Sequence, residues 1–260
     1  MTNSAKIRLS NIGIVFRPRD RDKVEAVRGV TLDVPEGSIV SIVGPSGCGK
    51  STLLNVVSGL LQPNSGSAEV NGARVSGIRH DVGYMFARDG MMPWRTAAQN
   101  VEFGLEVRGV ANRHAIAREW LRRVGLAKFE DHYRHELSQG MRQRVAVART
   151  FAVEPDILLM DEPFGALDSQ TRLLLQALFL SVWDASKRTV LFVTHDLHEA
   201  IFLSDIVIVF TNRPGRVKSI IPIDLPRPRL PPADLAIAPE FRDIYSRIWG
   251  DLKDEVQQFE

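Results

Sequence analysis

A glycine-rich segment near the start of the chain constrains the fold more than any other feature. It reads Gly44-Pro45-Ser46-Gly47-Cys48-Gly49-Lys50-Ser51-Thr52 and fits the pattern G-x-x-x-x-G-K-S/T. The apolar, β-branched run 38–43 precedes it, and apolar residues at helical spacing follow over residues 51–60. The sequence therefore predicts a buried parallel strand, a tight loop and a helix in that order.

The residue types in this segment suit the binding of phosphate groups. Gly44, Gly47 and Gly49 allow a tight turn that brings backbone N–H groups to an anion at a helix N-terminus. Lys50 supplies a mobile positive charge for the β- and γ-phosphates, and Ser51 offers a hydroxyl oxygen to Mg²⁺. A glycine-rich turn with a chance lysine is the alternative, but average residue usage gives such a match in roughly one chain in a hundred of this length. We interpret all nine residues as a nucleotide site, including Pro45, Ser46, Cys48 and Thr52.

Composition sets outer limits on the fold and the function. The 260 residues are 44% apolar, which suffices for one large α/β domain or a domain with an insertion. A net charge of +2 gives no support to nucleic-acid binding, and the single cysteine, Cys48, excludes an intrachain disulfide. We expect Cys48 to be a small tolerated side chain rather than a redox sensor. With no apolar run of about 18 residues and no signal-like N-terminus, we expect a cytosolic protein that reaches a membrane only through a partner.

Helical and strand patterns alternate along most of the chain. Strand-like runs cover residues 7–16 and 25–34, two or three short strands are predicted within 67–86, and further strands at 157–160, 190–193 and 206–210. A helical block lies between them, with its clearest segments at 115–124 and 141–152. This alternation predicts a parallel sheet with a helical block inserted in its middle. The charged residues 17–23 are expected to form a solvated loop.

The C-terminal region has a different pattern. A proline-rich connector covers residues 222–232, and Pro239 then opens a helix. Its apolar residues share one face, and we expect this face to pack on the body of the same chain rather than on a partner. They are Phe241, Ile244, Tyr245, Ile248, Trp249, Leu252, Val256 and Phe259.

Two acids follow the apolar run 157–160. The carboxyl end of a strand is where α/β sheets bind their ligands. Asp161 is placed to hold Mg²⁺ through water, and Glu162 to orient an attacking water or accept its proton. A solvated turn is the usual interpretation of such a pair alone, but the phosphate loop favours the functional one.

Further motifs show a resemblance to a known family. The segment Leu137-Ser138-Gln139-Gly140-Met141-Arg142-Gln143-Arg144, the segment Gly165-Ala166-Leu167-Asp168 and His195 follow the order seen in ABC transporter ATPases. The resemblance runs from about residue 7 to residue 217. Residues 85–86, 92–96 and 213–215 look like the nitrate/sulfonate/taurine importer branch. The resemblance implies a P-loop NTPase core, with a RecA-like, mostly parallel sheet, an antiparallel β subdomain and an inserted helical subdomain.

The resemblance also implies domain boundaries and partners. The ATPase domain would cover residues 1–225 with the helical subdomain at about 90–153, and residues 226–260 would form the connector and C-terminal helix. Such ATPases act as pairs that bind ATP and Mg²⁺ and associate with membrane permease subunits, and indirectly with an extracytoplasmic solute-binding protein. The chain would thus lie peripherally at the cytoplasmic face of the inner membrane, without nucleic acid.

Individual residues inherit roles from the resemblance. Ser138 and Gly140 would meet the γ-phosphate bound by the opposite chain, and Asp168 would lie at the subunit boundary. His195 would contact the γ-phosphate and, with Glu162 and Lys50, act in hydrolysis. Phe16 matches the aromatic residue that stacks on adenine, although a buried core phenylalanine is an alternative.

The chain departs from the family pattern at two positions. Ala87 stands where the family has a glutamine whose amide oxygen reaches Mg²⁺ and the water, so we expect intact ATP binding with weakened hydrolysis or coupling. Another group could substitute for that amide, or the loop could be displaced. Gln139, where glycine is common, is a milder departure. Two other functions remain: a soluble ABC ATPase acting on nucleic acid or the ribosome, disfavoured by the single phosphate loop, and a nucleotide-binding regulator with weak hydrolysis.

Overall fold

The structure is a computed structural model that describes residues 5–17 and 22–257. Most of the predicted charged loop at 17–23, and Phe259 of the predicted C-terminal helix, lie outside the described residues. Contacts within the chain divide it into two compact units. The first unit is built from the described residues of 1–79 and 187–260, and the second unit is residues 80–186.

The strands and helices alternate as expected for an α/β protein. In chain order they are β1 (Ala5–Phe16), β2 (Val24–Pro35), β3 (Ile39–Val43), α1 (Lys50–Val57), β4 (Ser65–Val70), β5 (Ala73–Arg74), β6 (Val82–Met85), α2 (Ala97–Val107), α3 (Arg113–Arg123), α4 (Gln139–Ala152), β7 (Ile157–Asp161), α5 (Ser169–Ser186), β8 (Thr189–Val193), α6 (Leu197–Leu203), β9 (Ile206–Phe210), β10 (Val217–Pro222), α7 (Pro232–Ala236) and α8 (Pro239–Gln257). A short 3-10 turn at Arg134–Glu136 precedes α4. Among the described helices, none combines the length and the apolar character needed to cross a bilayer.

The first unit contains an antiparallel sheet and a group of mainly parallel strands. The antiparallel sheet has the order β2-β1-β4-β5. In the other group, β3 lies between β8 and β9 and is parallel to both, with Ser41 opposite Phe192 and Val207. All five residues of β3 are buried, which agrees with its unbroken apolar sequence because a central parallel strand is covered on both faces.

The second unit combines a parallel strand pair with the predicted helical block. Strand β6 pairs with β7, with Gly83 opposite Leu158. Helix α2 begins at a capping box in which the Thr96 side chain accepts from the Gln99 N–H and Gln99 reaches back to the Thr96 N–H. Packed aromatic rings form the core of the unit, where Phe179 makes edge contacts with Phe151 and Phe164.

The C-terminal part of the first unit contains two elements that the sequence did not predict, β10 and the short helix α7. Strand β10 pairs antiparallel with β9 and places Ile221 opposite Val207. Exposed residues of β10 alternate with partly buried ones and with the buried Ile221, and the strand ends at Pro222, where the predicted connector begins. A strand that ends in proline is suited to the outside of a sheet, where one side needs no ladder hydrogen bonds, and so it carries a weak sequence signal.

Candidate nucleotide site

The phosphate loop connects β3 to α1 in the predicted order. Gly47 and Gly49 have φ values of +75° and +98°, which lie in the left-handed region. Residues with a side chain rarely adopt that region, so the backbone path of the loop depends on glycine at both positions. Helix α1 then begins at Lys50, so the N-terminus of the helix lies at the loop.

Neighbouring backbone segments pack closely against this loop. A Cβ atom added at Gly49 would lie 2.8 Å from the Ala26 carbonyl oxygen, and one at Gly44 would lie 2.9 Å from the Phe210 Cβ. A Cβ atom at Gly215 would lie only 2.0 Å from the Cys48 carbonyl oxygen. Since these distances are too short for any side chain, the loop is held in one shape by three different parts of the chain.

Lys50 and Cys48 stabilise the loop from within. The Lys50 ammonium is nearly buried and donates to the carbonyl oxygens of Gly44 and Pro45, both at 2.8 Å. The Cys48 side chain is buried, and burial raises the pKa of its thiol more than the Lys50 charge lowers it. A buried, protonated thiol is a packing group, which agrees with the expected structural role for Cys48.

Arg213 holds the loop from outside. Its Nε and Nη2 atoms donate to the Gly47 carbonyl oxygen at 3.1 and 2.8 Å. The preceding Asn212 accepts from the Arg213 N–H at 2.6 Å, and its own N–H donates to Glu255 on α8 at 2.9 Å. Residues 213–215 carried only a family resemblance in the sequence, and nothing in their spacing predicted a bond to Gly47.

His195 and the start of the loop line one cavity of about 590 Å³. His195 is exposed and follows β8 directly after the buried Thr194, whose hydroxyl donates to Glu199 at 2.8 Å. The remaining walls come from the segment 196–198 and from α8. The structure therefore brings the predicted histidine and the predicted phosphate loop to a shared cavity of the first unit. Phe16 ends β1 and is 41% exposed, so the buried-core alternative does not apply to it.

The predicted acids lie at the end of β7 in the second unit. Asp161 is the last residue of this strand. Burial of the Tyr84 side chain raises the pKa of Tyr84, and the negative charge of Asp161 raises it further. Glu162 has a φ of +47°, a left-handed conformation that is uncommon for glutamate. Such a conformation costs of order 1–3 kcal/mol and is concentrated at functional sites.

Ser138 and Gly140, which the resemblance assigns to the γ-phosphate of the opposite chain, lie at the start of α4 in the second unit. Ser138 caps this helix by accepting from the Met141 N–H at 3.3 Å. The Gln139 side chain donates to the Ala166 carbonyl oxygen at 2.6 Å, and the Gln143 side chain donates to the Pro163 carbonyl oxygen. The start of α4 is therefore bonded to the segment that follows Glu162.

Asp168, in that same segment, is an exposed cap. Its carboxylate accepts from the Thr171 N–H at 3.0 Å, and this bond is the main cause that lowers the pKa of Asp168. Gly140, on α4, lies close to Thr171, whose Cγ2 would be 2.6 Å from an added Cβ atom.

A buried carboxylate that the sequence did not single out organises the loop after β6. Asp89 is 8% exposed and accepts from Arg134 Nε and Arg142 Nε, both at 3.2 Å. Arg142 also donates to the Leu137 carbonyl oxygen at 2.7 Å. This carboxylate links the loop that contains Ala87 to the segment that contains Ser138. Only the acidic residue type could have signalled it, since its partners are far away in the sequence.

The strand, glycine loop and helix, together with the acid-ended strand, define a P-loop nucleotide-binding protein of the α/β class. A family model described as ABC transporter matches residues 27–165. The uncharacterized ABC transporter ATP-binding protein MJ0412 of Methanocaldococcus jannaschii is 46% identical over 253 residues, which cover 96% of this chain and 92% of that protein. The chain therefore belongs to the ABC transporter ATP-binding family, whose members hydrolyse ATP.

Other relatives agree with this assignment. The taurine import ATP-binding protein TauB of Burkholderia pseudomallei is 40% identical over 259 residues, which cover 98% of this chain and 99% of that protein. TauB of Rhizobium johnstonii is 41% identical over 247 residues, covering 93% and 94%. A solved dimeric post-hydrolysis state of the ATP-binding cassette MJ0796, bound to ADP and Pi, is 30% identical with a TM-score of 0.74, covering 84% of this chain and 99% of that one. The predicted family and fold class are confirmed.

Replacing the buried carboxylate tests its structural role. Burial acts to raise the pKa of Asp89, but hydrogen bonds from the Met91 N–H and Arg134 lower it further, so the net shift is downward. We expect Asp89→Asn to lower the free energy of unfolding at pH 7 by about 1.5–3 kcal/mol, as for a hydrogen bond to a charged group. Since the folded carboxylate has the lower pKa, the difference from the unchanged protein should shrink as the pH falls below about 3.9 and be smallest once the folded Asp89 is also protonated.

Urea unfolding at several pH values measures both effects. Asp33→Asn is the matched control, because its pair with Arg8 is exposed on both sides and should contribute less than about 1 kcal/mol. Equal losses for the two variants would contradict the assignment of Asp89 as a buried anchor.

Proposed function

We propose that this chain is the ATP-hydrolysing subunit of an ABC importer and couples nucleotide-driven pairing of two copies to solute uptake through a membrane permease. The construction of the phosphate loop carries the nucleotide-binding part of this proposal, since three separate segments fix it in a shape that only glycine permits. Relatives named for taurine import support the importer branch. We keep the predicted boundaries of an ATPase domain at 1–225, a helical subdomain at about 90–153, and a C-terminal part at 226–260.

The proposed roles follow from the chemistry of each group. Backbone N–H groups of residues 44–52 and the Lys50 ammonium would bind phosphates at the N-terminus of α1. Ser51 and Asp161 would hold Mg²⁺, Asp161 through water, and the ion would neutralise phosphate charge. Glu162 would orient the attacking water, and His195 would stabilise charge on the γ-phosphate. Phe16, which is partly exposed, would stack on adenine.

The role of Glu162 can be tested by removing its charge. Glu162→Gln should lower kcat for ATP hydrolysis by about 10²–10⁴-fold, the usual contribution of a positioned base, because an amide cannot accept the proton of water. ATP affinity should stay within about twofold, since binding rests on the loop. Turnover is measured by phosphate release and affinity by a fluorescent ATP analogue.

Glu240→Gln, an exposed change on α8, is the matched control and should leave turnover unchanged. Turnover of Glu162→Gln near that of the control would reject Glu162 as the base.

We further propose a pair of identical chains as the active unit. The related cassette MJ0796 has been solved as a dimer with ADP and Pi. In this chain Ser138 is exposed at the start of α4, where it would meet the γ-phosphate bound by the other copy, together with Gly140. The bonds from Gln139 and Gln143 to the segment 163–166 would fix that surface.

The second unit also offers aromatic groups to a membrane permease. Trp94 is 72% exposed, and Phe86 and Phe103 are also exposed, with the Arg95 guanidinium 5.2 Å from the Phe103 ring centre. Exposed aromatic side chains of this kind are enriched at protein interfaces. We propose that they contact the permease at the cytoplasmic face of the inner membrane. The solute would be nitrate, a sulfonate, taurine or a similar small molecule, delivered by an extracytoplasmic binding protein.

Trp94 provides the test of permease contact. Trp94→Ala should weaken association with the permease by about 10–30-fold, the loss expected for a central aromatic contact of about 2 kcal/mol. ATPase activity of the isolated subunit should not change. Co-purification with membranes that carry the permease measures the first quantity, and phosphate release measures the second.

Val107→Ala removes another exposed apolar side chain of this unit and serves as the comparison. Permease binding by Trp94→Ala at the unchanged level would show that the permease contacts a different surface.

Ala87 bears on the coupling between ATP hydrolysis and transport through the permease. It lies two residues before the buried Asp89, in the loop after β6. Alanine cannot supply the amide oxygen that the family places there. This position also favours the second candidate function, a nucleotide-binding regulator with weak hydrolysis.

Ala87→Gln distinguishes the importer ATPase from the nucleotide-binding regulator with weak hydrolysis. We expect it to raise the ATPase rate of the assembled transporter by about tenfold, equivalent to about 1.4 kcal/mol in the barrier. Ala87→Asn carries an amide on a shorter side chain and serves as the control. An unchanged rate and unchanged stimulation by the permease would show that Ala87 does not limit hydrolysis.

A further inference from the structure

Helix α8 carries buried and exposed apolar residues side by side. Phe241, Ile248 and Leu252 are at most 6% exposed and anchor the helix to the first unit. Trp249 and Val256 are 45% and 43% exposed. The positions 245, 249, 252 and 256 recur at four- and three-residue steps, so their side chains follow one line along the helix. We call these four residues the α8 stripe.

The α8 stripe lies beside the phosphate loop. All four of its residues line the 590 Å³ cavity whose other walls are Gly44–Ser46 and the segment 195–198. His198 joins the two sides, because its ring centre lies 5.1 Å from that of Tyr245 and 5.3 Å from that of Phe241. An exposed apolar surface therefore continues directly from the residues proposed to hold the γ-phosphate.

Polar contacts hold α8 in this position. Glu255 accepts from Lys218 at 2.7 Å and from the Asn212 N–H at 2.9 Å, and Asp251 accepts from Ser219 at 2.5 Å. Because these bonds fix the rotation of α8 about its axis, the α8 stripe cannot be covered by a rotation of α8 that keeps them. Some other surface has to cover Trp249 and Val256 if they are to leave water.

We infer that the α8 stripe is part of the contact between two copies of this chain when ATP is bound. The inference rests on the proposed function, in which Ser138 and Gly140 of the second copy meet the γ-phosphate held beside the phosphate loop and His195, so that the second copy lies over Ser46 and His195. Those two residues line the same cavity as the stripe, so a copy that reaches them also lies over the exposed side chains. On the α8 side the described lining consists of Tyr245, Trp249, Leu252 and Val256, which suits an apolar protein surface.

Charged substitutions in the α8 stripe test this inference. Trp249→Lys combined with Val256→Lys should preserve the fold, because both side chains are more than 40% exposed. In a Glu162→Gln background with ATP and Mg²⁺, we expect the dissociation constant of the dimer to rise at least tenfold, since two charges would have to be buried. Sedimentation velocity measures the dimer, and a fluorescent ATP analogue measures monomer affinity, which should change less than twofold.

A matched control separates position from charge. Asp243→Asn with Gly250→Lys adds the same net charge at exposed positions of α8 outside the stripe and should leave the dimer unchanged. Dimerisation of the stripe variant at the parent affinity would overturn the inference, leaving a small apolar molecule as the candidate occupant. A loss of monomer ATP binding would also overturn it, because the stripe would then support the site of its own chain. If the Glu162→Gln parent itself stays monomeric, the proposed pairing fails.

Discussion

The close approach of three backbone segments at the phosphate loop is the constraint on which the first unit depends. Strand β2 meets the loop at Gly49, and the turn after β9 meets it at Cys48, with distances that leave no room for a Cβ atom. The same turn is bonded to β2, since the Gly215 N–H donates to Ala26 at 2.9 Å and the Arg28 N–H donates to Gly215 at 3.0 Å. The antiparallel sheet, the nucleotide loop and the C-terminal region therefore meet at one point.

This arrangement explains how the loop can present its N–H groups to an anion. A carbonyl oxygen that faced the phosphates would repel them, so the carbonyl groups of the loop need other partners. The Lys50 ammonium donates to the carbonyl oxygens of Gly44 and Pro45, and the Arg213 guanidinium donates to that of Gly47. Two cations thus satisfy these three carbonyl oxygens, so the N–H groups of the loop remain available to bind phosphate.

The sequence predicted the parts of the site that depend on local pattern. Strand β3 was predicted from the apolar run 38–43, the loop from its glycines and Lys50, α1 from apolar spacing, and Asp161 from its place after the apolar run 157–160. Long-range contacts could not be predicted, because a single sequence contains no distances. Arg213 and Gly47 are separated by 166 positions, and Asp89 and Arg142 by 53. Such pairs follow from the fold and have no local signal of their own.

Helix α8 shows where pattern analysis reaches its physical limit. Helical spacing predicted one apolar face that packs on the same chain, and for Phe241, Ile248 and Leu252 this prediction is confirmed by their burial. The spacing cannot separate these residues from Trp249 and Val256, since all are apolar and lie on adjacent sides of one helix. Only their surroundings differ: Phe241 and Ile248 are buried, Trp249 and Val256 are exposed at a cavity beside the phosphate loop, and the buried Leu252 also lines that cavity. An amphipathic face wider than the surface it buries is a sign that a further surface completes it, and here the nearest functional neighbour of that face is the nucleotide site.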